Sequence, residues 1–372
     1  MLNTLPPKAQ GRQPRGLVYI NGQLLLWENI EVDTTTYYQA DSFSVTLPLN
    51  GQPKGYDFSY FASEPAMLIE IYAGLPNNPE QFTKSDLDNL ITGQVDDISI
   101  DPVTMTATLT GRDLTAKFID NKTTEKFQNN TSSQIATILA QRRGLTPVVK
   151  ATGTLAGRYY EIDHSRLTSQ HSEWDLLTYL AQEENYAVFV KGMSLYFQPV
   201  PSPSDNPYVI QWTSSDSDGT SINVVDLKCT RNLTLARDVI VTVRSWNAKQ
   251  KSGFTKTVKA TPNKNTVIDS QAQPVGDAQV YTYSIPGLTP EQALQKAQQL
   301  LQQITQHERN IAFTVPADSL LDKSKIIQLK GTNTDFDQIY YPSSIRRTIN
   351  FESGYVMHVE AKNHSPNSQV IV

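Results

Sequence analysis

The chain has 372 residues, 38% hydrophobic and 19% charged, with a formal net charge of −5 at pH 7. At roughly 100–200 residues per domain this length predicts two to four domains, and the composition excludes a disordered chain. The acidic balance and the lack of any lysine- or arginine-rich run exclude a protein that grips nucleic acid along its phosphates, although a weakly acidic wall suits a channel through which a polyanion slides.

Cys229 is the single cysteine, so no intrachain disulfide can form, which fits folding in a reducing cytosol. Its expected role is that of a small buried hydrophobe, with a reactive thiol as the alternative. The opening segment MLNTLPPKAQGRQPRG carries basic residues with no apolar stretch behind them, and no run approaches the ~20 apolar residues of a membrane span. Neither secretion by a visible signal nor membrane embedding is expected.

Residues 1–15, with Pro6, Pro7 and Pro14, read as an N-terminal arm that gains order against a partner. Residues 16–112 read as a β-domain. Leu17–Ile20 and Gln23–Trp27 flank Asn21-Gly22, a dipeptide that takes the positive φ angles of a type I′ hairpin turn. Ser42–Leu47 alternates, with Phe43, Val45 and Leu47 on one face, and stops at Pro48. Met67–Tyr72 is a strand ended near Gly74, Ser85–Leu90 a short helix, and Gly93–Ile100 and Met105–Thr110 two strands joined through Asp101-Pro102.

Residues 113–205 read as an α/β insert. Gly111 is expected to break the preceding strand, leaving Asp113 to cap a short helical turn in which Leu114 and Phe118 share a side. A longer helix follows: Thr131 and Gln134 have capping-box spacing, Ile135, Ile138 and Leu139 form its apolar stripe, Arg142 and Arg143 suit its negative end, and Gly144 stops it. A second helix spans about Ser172–Glu184, opened by Ser172 and Asp175, with Trp174, Leu177, Leu180 and Ala181 on one face and Asn185 where glycine is usual. Ala187–Val190 and Ser194–Gln198 form a hairpin about Lys191-Gly192, and Pro199–Pro207 is the clearest linker.

Residues 206–372 return to β structure. Strands are predicted near Val209–Trp212, Ile222–Cys229, Val239–Trp246, Thr255–Ala260, Gln279–Ser284, Asn310–Val315, Ile326–Lys330, Ile345–Phe351 and Tyr355–Ala361. One long helix interrupts them, with Thr289 as cap, Pro290 first, Gln292 completing the box, and Leu294, Ala297, Leu301, Ile304 and Glu308 along it.

The two β regions share an order of elements. SFSVTLP, Ser42–Pro48, matches NIAFTVP, Asn310–Pro316, and MLIEIYAG, Met67–Gly74, matches KIIQLKG, Lys325–Gly331; each pair precedes a loop and a two-stranded hairpin. Chance likeness of alternating strands is one explanation, and duplicated β-barrels or sandwiches flanking an inserted domain the other. The fold class is therefore mainly β with an α/β insert, two tube-like β-domains flanking a small α/β domain. Three such chains in a ring would present six near-equivalent positions, so a threefold object could stack on a sixfold tube.

The runs ADSFSVTLPL, LIEIYAG…LITGQVDDISID, LTGRDLTAKFID…KFQNNTSSQIATILAQRRGL and SEWDLLTYLAQEENYAVFV resemble the central hub proteins of phage baseplates, the late-control D and contractile-tail spike-hub family. The resemblance covers most of residues 16–200, with the GRDL junction its most specific part; Asn185 departs from the glycine expected there. It implies a homotrimeric ring seated between the sixfold tail tube and the threefold central spike, without catalysis and without a cofactor. Implied partners are the spike, the tail tube protein or a tube initiator, the tape measure protein and other baseplate proteins, with DNA only passing through the channel during ejection. The implied location is the virion tail, after assembly in the bacterial host cytoplasm.

A tail-associated cell-wall hydrolase and a host-surface glycan-binding module are the alternatives. The carboxylate pairs Asp96/Asp97 and Glu183/Glu184 are adjacent in sequence, whereas glycoside hydrolysis wants two carboxyls ~5 Å or more apart across a cleft. His164 and His171 lack the spacing of a zinc helix, His307 and His358 have no nearby His or Cys, and no GxSxG, P-loop or GxGxxG occurs. Arg112-Asp113 reads as a local cap or as an intersubunit ion pair. Trp27, Trp174, Trp212 and Trp246 are expected to pack in cores rather than form a sugar platform. No catalytic, cofactor-binding or metal-ligating residue is assigned.

Overall fold

The computed structural model describes residues 13–35, 37–123, 127, 129–153, 171–184, 186–199, 207–215, 219–232, 239–247, 252–261, 279–285, 288–305, 309–363 and 369–371. His164, Asn185, His307, Glu308 and most of the arm and the proline-rich linker lie outside them. The protein is mainly β. It divides into two compact units, one of Met1–Asp205, Thr314–Lys325 and Ser343–Val359, the other of Asn206–Phe313, Ile326–Pro342 and Glu360–Val372.

In the first unit the strands are β1 (Arg15–Ile20), β2 (Gln23–Leu25), β3 (Asn29–Thr35), β4 (Ser42–Pro48), β5 (Leu68–Gly74), β6 (Asp88–Asp101) and β7 (Thr106–Asp113), with helix α1 (Phe58–Ser63) between β4 and β5. Asn21 and Gly22, at φ 49° and 84°, turn β1 into β2 as their sequence requires. The strands pair antiparallel in the order β3-β4-β7-β6-β5-β1-β2. Alternation buries Ile30 and Val32 of β3, Val45 and Leu47 of β4 and Ile69 and Ile71 of β5 in one core under Phe61 of α1.

Two expectations fail here. No helix spans Ser85–Leu90: the Asp86 carboxylate closes a single 3₁₀ turn by accepting from Thr83 N at 2.8 Å, and the chain is extended again from Asp88, where it pairs with β5. Nor does Gly111 break β7, which runs on to Asp113. Gly111 instead lets two backbones meet, since a Cβ there would overlap the Gln94 carbonyl oxygen of β6; Gly93 faces Arg112 O in the same way, beside a bulge between Val95 and Asp97.

The rest of this unit holds α2 (Ala116–Ile119), β8 (Lys122–Thr123), α3 (Ser132–Arg142), β9 (Thr146–Val149), β10 (His171–Ser172), α4 (Glu173–Glu184), β11 (Tyr186–Lys191) and β12 (Ser194–Pro199). Thr131 and Gln134 form the expected capping box on α3, Ser172 and Asp175 exchange hydrogen bonds of 3.0 Å at the head of α4, and Gly144 sits at φ 72°. A core of its own, with Phe118, Ile135, Leu139, Leu177 and Phe197, lies under the helices on the sheet β11-β12-β9. Arg143 ends α3 with a bidentate grip at 2.7 Å on both oxygens of Glu173, which is 1% exposed in the first turn of α4.

The remaining strands are β13 (Tyr208–Ser215), β14 (Gly219–Ile222), β15 (Asp226–Arg231), β16 (Val239–Asn247), β17 (Ser252–Thr261), β18 (Gln279–Ser284), β19 (Arg309–Pro316), β20 (Ile327–Lys330), β21 (Ile339–Asn350), β22 (Gly354–Asn363) and β23 (Gln369–Ile371), with helix α5 (Pro290–Thr305) before β19. The single strand expected over Ile222–Cys229 is two, β14 and β15. Thr289 and Gln292 box the head of α5, whose Ala293, Ala297 and Leu301 cover Val239, Val241, Val243 and Val258 of the sheet β18-β16-β17-β23.

The other strands pair in the order β15-β19-β22-β21-β20-β13-β14. Position by position this is the order β3-β4-β7-β6-β5-β1-β2, with counterparts in the same sequence along the chain. The sense of the matching pair is not kept where β1 and β5 are antiparallel and β13 and β20 parallel. The hairpins close on the same kind of contact, across four turn residues in one and three in the other. Asp101 Oδ1 ends β6 by accepting from Val103 N at 2.8 Å and Thr104 N at 3.2 Å, with Met105 at φ 54°. Asn350 Oδ1 ends β21 by accepting from Glu352 N at 3.1 Å and Ser353 N at 2.7 Å, with Gly354 at φ 71°. Each turn carries a solvent-facing apolar residue, Val103 at 89% and Phe351 at 81% exposure.

Candidate functional site at the end of β7

Alternation at the end of β7 sends Arg112 outward and Asp113 inward. Arg112 grips Asp96 of β6 through Nε at 2.6 Å and Nη2 at 3.0 Å, and Asp120 after α2 through Nη1 and Nη2 at 3.2 Å. Of the two sequence readings, this ion pair is made within the chain, and it holds the Asp96 carboxyl below its ordinary range. Asp113 is 4% exposed; its Oδ1 accepts from Thr115 N at 3.0 Å, an Asx turn in place of the helix cap expected, and its own N–H donates to Asp41 O at 2.9 Å.

Asp113 opens on a cleft of about 410 Å³ inside the first unit, shared with Asp41, Phe189, Tyr196 and Lys323. Asp41 Oδ1 accepts from Thr35 N at 2.8 Å, and its Oδ2 from Lys323 Nζ at 3.2 Å. The same ammonium lies 5.0 Å from the centroid of Phe189, which stacks on Tyr196 at 4.9 Å and 1° between planes. Burial, and after it the negative charge of Asp41, push the Asp113 carboxyl up to about 7. Burial likewise pushes the Tyr37 phenol, against Phe189 at 5.3 Å, up to about 12.

A strap from the β3–β4 connection ties the β strands to the insert. Tyr38, left-handed at φ 79°, donates from N to Val188 O at 3.1 Å and from its hydroxyl to Tyr186 O at 2.6 Å, and its carbonyl accepts from Trp174 Nε1 at 3.0 Å. Chemically the cleft is a clasp. The Asp41 oxygens are taken by a backbone amide and an ammonium, and Asp113 is turned into its own backbone, so neither is presented as a free acid/base group.

The other residues singled out by sequence are dispersed. Glu184 accepts from Ser132 Oγ at 2.9 Å, His358 Nδ1 is 3.2 Å from Thr314 Oγ1, and among the described residues no three His, Cys, Asp or Glu are grouped to hold a metal ion. Cys229 is exposed on β15, against the buried role expected; among the described strands β15 pairs with β19 alone. Trp174 is buried, and Trp27 is half-buried with Phe351 stacked on it at 5.6 Å. Trp246 departs from the core expectation at 56% exposure, since it alternates with Val243 and Ser245 onto the face of β16 away from α5. Asp41 and Lys323 escaped the sequence reading entirely; they lie 282 residues apart and carry no motif. Among the described residues no helix is long and apolar enough to cross a membrane.

The sequence matches no protein-family profile and no curated protein. Its fold is nonetheless shared along almost the whole chain with solved structures. A tail protein from Neisseria meningitidis aligns at 14% identity and a TM-score of 0.62, over 96% of this chain and 99% of its own. A prophage tail protein from Shewanella oneidensis aligns at 16% identity and a TM-score of 0.59, over 94% and 96%. With a prophage tail protein from Listeria monocytogenes at 11% identity, a TM-score of 0.55 and 94% of both chains covered, the fold this chain resembles is that of phage tail proteins.

Proposed function

We propose that the chain is a structural, non-enzymatic hub of a phage or phage-like tail. It works as a homotrimeric ring that matches a sixfold tail tube to a threefold central spike and leaves a channel for DNA. The observation that carries this reading is the repeated strand order with its two like hairpin turns. A chain with two equivalent β-frames, residues 16–112 and 206–372, placed in a threefold ring offers six near-equal positions. The α/β insert, residues 113–205, is then an appendage strapped to the first frame by Tyr38, and Lys323 from the stretch 206–372 meets both Asp41 of that frame and Phe189 of the insert. Likeness to tail proteins over full length supports the setting, and the net charge of −5 supports a wall along which DNA slides. The spike, the tube protein and the tape measure protein are the partners this role demands. Light scattering and class-averaged images of the purified protein test it: a threefold ring, alone or with its spike, is expected, and a monomer that stays monomeric with the spike present overturns it.

A further inference from the structure

The like hairpins fix a register between the two frames. Since Asp101 matches Asn350, the stretch Val95–Asp101 of β6 matches Ser344–Asn350 of β21. Their surroundings differ. Ser344–Asn350 pairs antiparallel with β3, from Ser344 opposite Thr35 to Asn350 opposite Asn29. Val95–Asp101 pairs with β7 on one side; on the other the β5 ladder ends at Gln94, Val95 N–H donates to Met67 O at 3.0 Å, and from Asp96 on none of the described strands continues beside it. The counterpart of β3 is β15, and it too lacks its second neighbour: β3 lies between β4 and β21, whereas β15 pairs with β19 alone among the described strands. Burial follows. β3 buries alternate residues, and β15 leaves Lys228, Cys229 and Thr230 exposed.

Charge sorts these edges into partners. Inside the chain the acids are on β3 and the bases on β21: Arg346 Nε lies 2.7 Å from Asp33 and 3.5 Å from Glu31. On the two incomplete edges the signs lean the other way: β6 offers Asp97, with Asp96 held by Arg112 and Asp101 in its own turn, and β15 carries Lys228 and Arg231 against the single Asp226. β6 against β6 would set acid against acid, whereas β6 against β15 sets acid against base.

We propose that β15 of one copy pairs antiparallel with Asp96–Asp101 of the next copy, repeating between chains the joint that β3 and β21 make within one. An exposed strand edge is a template for further pairing, and a head-to-tail contact of this kind leaves no open edge only when the ring closes. Around the ring the two joints alternate, and the opposite lean of their charges keeps them from being confused. This inference rests on the ring proposed above and names its seam.

The chain supplies its own probe, since Cys229 lies on the proposed seam and is the only cysteine. Asp97→Cys, Ile98→Cys, Ser99→Cys and Ile100→Cys are made singly in the full chain. Each is treated with diamide, which takes two electrons and two protons from a thiol pair as the disulfide forms. Expected are covalent trimers on non-reducing gels from alternate positions of the set, abolished by Cys229→Ser or by reduction. Lys228→Glu is expected to shift trimer toward monomer at low salt while leaving the far-ultraviolet circular dichroism of the folded chain unchanged. A trimer by light scattering that none of the four cysteines cross-links, and that Lys228→Glu leaves intact, overturns this seam but not the ring; a protein monomeric throughout overturns both.

Discussion

The two β-frames follow one pairing order, yet the connection between their third and fourth strands differs greatly. From β3 to β4 the chain needs only residues 36–41, and this short link places Tyr38 against the insert and Asp41 in the cleft. From β15 to β19 it runs through residues 232–308 and builds β16, β17, β18 and α5 on a core of their own. The pairing order survives both, because a connection leaves the strand edges where they were and its length adds little closure entropy. The frames differ in this loop, in the edge charges, in the sense of the β1/β5 and β13/β20 pairings, and in the close approach at Gly111. The loop, the charges and the close approach can each be broken in one frame and left alone in the other.

The largest effect is expected at the bulge. Gly111 has no room for a Cβ against Gln94 O, while the inward-facing residues of β22, Met357, Val359 and Ala361, all carry side chains. Gly111→Ala must push β6 and β7 apart or twist them, and should cost about 3 kcal/mol or more. Glu360→Ala should stay within roughly 0.5–1 kcal/mol. Urea unfolding of both variants measures the difference; equal losses would mean that the close approach at Gly111 costs no more to disturb than an exposed side chain of β22.

A smaller effect, set by pH, separates the cleft from the second frame. An unfolded aspartate ionises near ~3.9, whereas burial and the charge of Asp41 push Asp113 up to about 7 in the fold. Between these values the folded protein holds a proton that the unfolded chain has released. Stability is thus fully supported below about pH 4, falls as pH rises toward 7, and levels off above, by up to a few kcal/mol in all. Asp113→Asn keeps an oxygen for Thr115 N and removes the titration, so its stability should be flat across that window and exceed the wild type at pH 8. Thermal midpoints from pH 4 to 8 decide it, and parallel curves for the two proteins would remove Asp113 as the cause.

Much of this frame was legible in the sequence wherever a local rule decides it. Thr131/Gln134, Ser172/Asp175 and Thr289/Gln292 close their helix caps through neighbours a few residues away, and Asn21-Gly22 turns without outside help. The matched pairs SFSVTLP/NIAFTVP and MLIEIYAG/KIIQLKG pointed to the strand counterparts β4/β19 and β5/β20, and the structure extends that correspondence to the first three strands of each frame. Illegible were the features made by distant partners. Glycine in a strand signals either a break or a close approach, and only the facing Gln94 carbonyl decides which. β15 looked like the tail of one strand, and the exposure of its cysteine was misjudged because which strands lie beside a strand leaves no mark in the sequence.

The smallest effect tests the correspondence most directly. Asp101 and Asn350 make the same two backbone hydrogen bonds, one with a charged oxygen and one with a neutral one. Asn350→Ala should cost about 1 kcal/mol at any pH, since a neutral hydrogen bond of this kind is worth roughly that. Asp101→Ala should also destabilise, but with a pH dependence, because the amides of Val103 and Thr104 hold the Asp101 carboxyl below its ordinary range. A carboxyl depressed in the fold contributes above its unfolded value and loses that contribution as pH falls through the folded one. The Asp101→Ala penalty should therefore shrink in acid, where the wild-type carboxyl is itself protonated, while the Asn350→Ala penalty stays level. Unfolding curves for both variants at pH 3 and pH 7 measure this; a penalty at one turn and none at the other would mean that the hairpins share a shape without sharing a cause.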